Sequence, residues 1–235
     1  MGRVFEKRKY KMFARYDKMA KGFTRIGKEI AIAIKLGGGD PGGNSRLRVA
    51  IQNAKGLNMP KVNIDAAIKR ATSKDSSNLE EVVYEGKGPY GVAILLECAT
   101  DNPTRTVANV RMNFNKYGGE LGKTGSLDYL FDRKGVFRIK NENIVLEELE
   151  FELIDFGADE IESDEEEIVI YTAFTDFGNM QKALESKKFN IISSELERIP
   201  NSTVELNDEQ VEEVMKLVGK LEEDDDIQTV YHNLK

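Results

Sequence analysis

The sequence predicts an α+β protein of three domains: an N-terminal three-helix bundle, an α+β middle domain, and a ferredoxin-like domain inserted in the middle one. Three observations predict it. Apolar residues recur at helical spacing between about residues 24 and 73. After a polar stretch the pattern changes to short strand-like runs broken by Gly and Pro. From about residue 132 the elements read β-α-β-β-α-β, the ferredoxin-like order, with one helix and one strand left over at the end. The divisions that follow are a basic arm (1–23), the bundle (24–75), the middle domain (76–131 plus 204–235) and the insert (132–203).

The arm carries Lys7, Arg8, Lys9, Lys11, Arg15 and Lys21 among Phe5, Tyr10, Phe13 and Tyr16. Cations for phosphates and rings for stacking suit nucleic acid; a frayed basic terminus fits the same residues. Over 24–36, Ile26, Ile30, Ala33 and Ile34 fall on one helical face, with Thr24 as cap and Gly37 as the residue beyond the end. The next helix, SRLRVAIQNAK, aligns Leu47, Ala50, Ile51 and Ala54, with Asn44 or Ser45 as cap and Gly56 as stop. The third starts near Pro60 and aligns Ile64, Ala67, Ile68 and Ala71. The turn Gly56-Leu57-Asn58-Met59 between them resembles a helix-turn-helix link, on spacing alone.

SKDSSNLEE reads as a linker. VVYEGKGPYGVAILLECATD reads as two strands around a Gly/Pro turn. A helix follows Asn102-Pro103, with Val107, Val110, Met112 and Phe114 as its apolar positions. SLDYLFDRKGVFRI reads as a strand pair turning at 133–135. Then come a helix (VLEELEFELIDFGAD), a hairpin turning in its acidic middle (DEIESDEEEIVIYTA), a helix (DFGNMQKALESK) and a strand (FNIISSELERIP). The closing helix and strand are expected to return to the 82–131 unit, whose β-β-α-β lacks a final α-β; a sequential layout is the alternative.

Composition narrows the function. Of 235 residues 40% are hydrophobic and 32% charged, enough for a core under a highly charged surface. No apolar run approaches the ~18 residues of a membrane span. The start is basic but lacks a secretory apolar stretch, Glu6 spoils a myristoylation pattern, and Glu6 and Asp17 argue against a transit peptide. A soluble, cytoplasmic protein is expected. Cys98 and His232 are the only residues of their kinds, so no intrachain disulfide and no Cys/His zinc site can form within one chain. Cys98, in VAILLECA, reads as a buried strand thiol. The acidic runs EIESDEEEI and KLEEDDDI read as solvated faces or turns rather than paired catalytic carboxylates or a metal site. No cofactor, no metal and no enzyme activity are expected.

Charge is split. Residues 1–75 hold 18 Lys and Arg against 6 Asp and Glu, a net +12; residues 76–235 hold 16 against 35, a net −19. The basic part is the expected polyanion-facing end, with the acidic part limiting indiscriminate binding. Candidate phosphate contacts in the bundle are Arg25, Lys28, Arg46, Arg48, Lys55, Lys61, Lys69 and Arg70. Neutralising about six phosphates predicts a log K against log salt slope of roughly −5.

The stretch GGGDPGGNSRLR comes near two nucleotide motifs. Gly37, Gly39 and Gly42 fit G-x-G-x-x-G, but a helix precedes them where that fingerprint needs a strand. Gly38, Gly43 and Ser45 fit a phosphate loop except that Asn44 stands where the lysine belongs. The stretch therefore reads as an interhelical loop. Its surviving functional option is a phosphate held at the following helix start by Arg46 and Arg48.

Three ordered segments carry a resemblance. KEIAIAIKLGGGDPGGNSRLRVAIQNAKGLNMPKVNIDAAIKRA, then YEGKGPYGVAILLECATDNPTRT with YGGELGKTGSLDYLF, then DDDIQTVYHNL resemble the YebC/PmpR family over about 20–235. The opening departs, since many members begin with a basic segment containing Trp and His, and this chain has no Trp. The resemblance implies the same three domains and a non-enzyme. It implies a DNA-binding transcriptional regulator or, alternatively, a ribosome-associated translation factor that binds ribosomal RNA and relieves stalling at proline runs. Asn44, Ser45, Asp101, Asn102 and Arg105 become candidate contacts within its motifs; for 100–105 a strand end and helix cap is the plainer reading. Partners are then nucleic acid and, in the alternative, the ribosome, with no membrane and a monomer favoured.

Overall fold

One helix, α1 (Arg3–Gly37), opens the chain where an arm and a helix beginning at Thr24 were expected. Thr24 caps nothing. It lies mid-helix, and its hydroxyl donates to the Ala20 carbonyl at 3.1 Å. No proline interrupts residues 3–36, and Lys, Arg, Ala and Met dominate the first half, so a helix nucleated on the apolar second half can propagate through it. The computed structural model describes residues 3–73, 78–142 and 144–235, with side chains from Met19 onward; residues 74–77 of the expected linker lie outside these. The chain divides into two compact units, Met1–Asn78 and Leu79–Lys235.

In the first unit α1 ends one residue later than expected: Gly37 is helical, and Gly38, at φ +83, is the left-handed residue that stops it. Helices α2 (Ser45–Gly56) and α3 (Lys61–Ala71) follow. The expected faces meet: Ile26, Ile30, Ala33, Leu47, Ala50, Ala54, Ile64 and Ala67 form one buried cluster. Asn58, at φ 56, turns the chain between α2 and α3.

The second unit holds two four-stranded antiparallel sheets. Strands β1 (Glu80–Lys87) and β2 (Ala93–Thr100) pair as a hairpin, α4 (Pro103–Lys116) follows, and β3 (Glu120–Leu121) adds a short edge beside β1. After the second sheet, α7 (Asp208–Glu222) and β8 (Ile227–His232) return, and β8 pairs with β2, giving the order β3-β1-β2-β8. One face packs Ile94, Leu96 and Cys98 against Val110 and Phe114 of α4 and Val214 and Leu217 of α7. Ala93 and Leu95 on the opposite face meet Leu127 and Phe131. Cys98 is buried, as expected of a strand thiol. Met112 is exposed, against expectation; the inward positions of α4 are Thr106, Val110 and Phe114, four residues apart, and Met112 falls off that stripe.

The second sheet is built from β4 (Phe131–Lys140), α5 (Leu146–Leu153), β5 (Ala158–Ser163), β6 (Glu167–Ala173), α6 (Phe177–Ser186) and β7 (Ile191–Pro200). Its order is β5-β6-β4-β7. No turn occurs at 133–135. β4 is one continuous strand paired on both sides, Gly135 opposite Thr172 and Leu196. Glycine is needed there for closeness rather than for turning: an added Cβ would lie 2.5 Å from Thr172 Oγ1 and 2.9 Å from the Phe177 ring. The acidic hairpin turn forms as expected, with Asp164 Oδ1 accepting the N–H groups of Glu166 and Glu167 at 2.7 and 2.8 Å. Phe137, Ile139, Leu149, Leu153, Ile168 and Ile170 lead this core.

Candidate nucleic-acid interface

The glycine loop is organised by Asn44, which is only 6% exposed. Its Oδ1 accepts the Leu47 N–H at 3.1 Å and so caps α2. Its Nδ2 donates to Ala33 O at 2.7 Å and Gly38 O at 2.8 Å, tying α2 to the end of α1. Asp40 closes the turn inside the loop by accepting the Gly42 N–H. Arg48 points back: its Nη1 donates to Pro41 O at 2.9 Å. Three of Asn44's hydrogen-bonding positions are thus used within the unit. The loop is a built connector, with Ser45 and Arg46 exposed at the start of α2.

The cations fall into two groups. Lys55 ends α2, and Lys69 and Arg70 end α3. Positive charge there is favoured by the helix dipole whatever else it does. Lys61 is exposed at the start of α3, where the dipole does not favour it. The second group lies along α1. Lys21, Arg25 and Lys28 are half-buried and spaced four and three apart, away from the Ile26 and Ile30 face. The side chains of Lys7, Arg8, Lys9, Lys11 and Arg15 lie outside the described residues, but the helical register extends the same face back through positions 18, 15, 11 and 7. Seven basic positions thus share one face over 22 residues, about 30 Å at 1.5 Å per residue. Reading 1–23 as an arm separate from the helix hid this continuity.

The residues 100–106 form a second polar constellation, within the other unit. Asn102 caps α4, its Oδ1 accepting the Arg105 N–H at 3.0 Å. Arg105 Nη2 donates to Asp101 at 2.8 Å and to Asp226 at 2.7 Å. The bond to Asp226, then that to Asp101, raise the Arg105 pKa and hold its charge. Asp226 is 7% exposed, and its Oδ2 also accepts the hydroxyls of Thr100 at 3.0 Å and Thr106 at 2.9 Å. Sequence reasoning placed Asp226 in a solvated acidic run; it is instead the buried hub joining the end of β2, α4 and the start of β8. The signal that could have found it was its place in the DDDIQTVYHNL segment. Glu85, also missed, is buried and accepts the N–H groups of Gly125 at 2.7 Å and Leu127 at 2.6 Å, fixing the loop before β4. Among the described residues no group of three or more His, Cys, Asp or Glu is placed to hold a metal.

Comparison with known proteins decides the family. The description "TACO1/YebC protein N-terminal domain" matches residues 3–74, and "TACO1/YebC second and third domain" matches residues 79–234. The chain belongs to the TACO1/YebC family. A "probable transcriptional regulatory protein" of Cytophaga hutchinsonii is 61% identical over 234 residues, covering 100% of this chain and 98% of the relative. One of the same name from Parabacteroides distasonis is 57% identical over 236 residues, covering 100% and 97%. The crystal structure of a conserved hypothetical protein of Aquifex aeolicus is similar at a TM-score of 0.81 and 39% identity, covering 92% of this chain and 90% of that one. This TACO1/YebC chain therefore has relatives named probable transcriptional regulatory proteins along its whole length.

Proposed function

We propose that this protein is a non-catalytic, cytoplasmic regulator that binds nucleic acid, duplex DNA in the first place, through phosphates tracked by α1. The observation that carries the reading is the run of basic positions 7, 11, 15, 18, 21, 25 and 28 on one helical face. Its length of about 30 Å matches some nine base pairs of duplex, and Arg46, Lys61, Lys69 and Arg70 add charge on the same unit. The names of the full-length relatives support a transcriptional role. In this reading three of the four hydrophobic clusters mark three domains: a basic binding bundle, a middle domain and a ferredoxin-like insert. Residues 100–106 serve the fold through Asp226. Among the described residues no helix is long and apolar enough to cross a membrane.

The test is binding to a labelled DNA duplex across a salt series. Seven phosphate contacts give an expected slope of about −6 in log K against log salt. Arg25→Glu with Lys28→Glu should weaken binding to all sequences and flatten the slope by about 2. A slope shallower than about −2 would overturn the phosphate-tracking reading. Preferential capture by ribosomes over DNA at physiological salt would replace transcription with translation as the role.

A further inference from the structure

The outward pole of α5 carries large apolar groups that the core does not use. Leu149 and Leu153 face inward and are buried. Phe151 is 83% exposed, Ile154 is 65% exposed one turn on, and Val145 is exposed at the start of the helix. A bare Phe on the face opposite the core costs solubility and adds nothing to folding. Its charged neighbours along the chain are of one sign. Glu147 and Glu148 lie one turn before Phe151, Glu150 and Glu152 beside it, and Asp155 one turn after. Among the described residues only Glu152 of these five has a cationic partner, Lys187 at 3.1 Å. The face is therefore an apolar knob in an acidic collar. The collar repels nucleic acid and anionic lipid, so the surface is not a continuation of the basic interface on α1.

We propose that this face of α5 docks a protein partner presenting an apolar pocket ringed by lysine or arginine. Phe151 is the anchor that fills the pocket, Ile154 widens the contact, and the carboxylates steer and orient the cationic rim. A short acidic helix with one aromatic at its centre fits the helix-in-groove mode of recognition. The inference does not rest on the nucleic-acid reading and can hold without it.

The experiment places a photo-crosslinking phenylalanine analogue at position 151 of the full-length protein in growing cells, with the same analogue at exposed Val62 as control. The expected result is an adduct specific to position 151 whose crosslinked peptide is basic and apolar. The purified partner should then bind the wild-type chain, with affinity falling about tenfold or more for Phe151→Ser with Ile154→Ser. Glu147→Lys with Glu148→Lys should slow association and reduce its salt dependence. Both variants should keep the wild-type melting temperature within a few degrees, and Phe151→Ser with Ile154→Ser, which changes no charge, should keep the wild-type affinity for DNA. Three outcomes overturn the proposal: adducts only with a second copy of this chain, adducts only with nucleic acid, or crosslinking at position 62 with none at 151. A large fall in melting temperature for Phe151→Ser would also overturn it, by showing that the ring serves packing.

Discussion

Asn44 decides the most conspicuous loop of the sequence. Local pattern offered it or Ser45 as a cap and went no further. Its amide bond to Ala33 O spans eleven residues and is invisible to any local rule. Asn44→Ala removes a cap and leaves two carbonyls without their donor, which predicts a loss of about 2–3 kcal/mol. Urea unfolding should show it, with nucleic-acid affinity recovering under conditions that refold the variant. His232 offers a second residue-scale prediction. Burial lowers its pKa below the usual 6.5, against smaller opposing effects of Glu222 and a bond involving Leu234. The unfolded chain therefore takes up a proton near pH 6.5 that the folded chain refuses. Stability should be full above that pH and fall as pH drops below 6.5, until the folded-state pKa is reached. Because the sequence has one histidine, His232→Gln should flatten the urea midpoint between pH 7 and 5.5. An unchanged slope would place the titration elsewhere.

At the scale of elements, most of the secondary structure is legible because apolar spacing and Gly, Pro and Asn boundaries agree. The misses have specific causes. Gly135 looks like a turn residue, but the requirement is contact with Thr172 and Phe177 from neighbouring elements. Met112 looks apolar and inward, but the α4 stripe through Val110 and Phe114 passes it by. Asp226 looks solvated among its acidic neighbours until β8 docks on β2. The largest miss is α1: residues 1–23 read as a basic arm ahead of a helix beginning at Thr24, whereas a polar helix is visible there by its charge register. That register gives a prediction. Ala20, exposed and mid-helix, can be replaced by proline without touching the Ile26, Ile30 and Ala33 core. Ala20→Pro should break α1 between positions 18 and 21. The salt slope for duplex binding should then flatten by about 3.5, as four of the seven aligned positions lose register. Circular dichroism should lose less than the whole helix, and the bundle should still unfold cooperatively. An unchanged slope would mean that the cations act as individuals and that their alignment is incidental.

The whole molecule is an opposed pair of charges on one chain, +12 over residues 1–75 and −19 over residues 76–235. A polyanion approaching the helical unit is attracted by one and repelled by the other, and the repulsion extends about 10 Å at 0.1 M salt and about 30 Å at 0.01 M. The acidic unit should therefore act as a selectivity filter, weakening contact with arbitrary nucleic acid most at low salt. The comparison is between the full chain and a fragment ending at Asn78, the boundary of the first compact unit. Circular dichroism should first show the fragment helical. At 0.01–0.05 M salt the fragment should bind random duplex DNA about tenfold or more tightly than the full chain, and the advantage should shrink steadily by 0.3 M. A preferred target would behave differently, since its specific contacts add to the full chain's affinity while the acidic repulsion is common to all sequences. Equal affinities of fragment and full chain at every salt would show that the negative charge is spent on solubility and on partners such as the one inferred for α5, and plays no part in choosing nucleic acid.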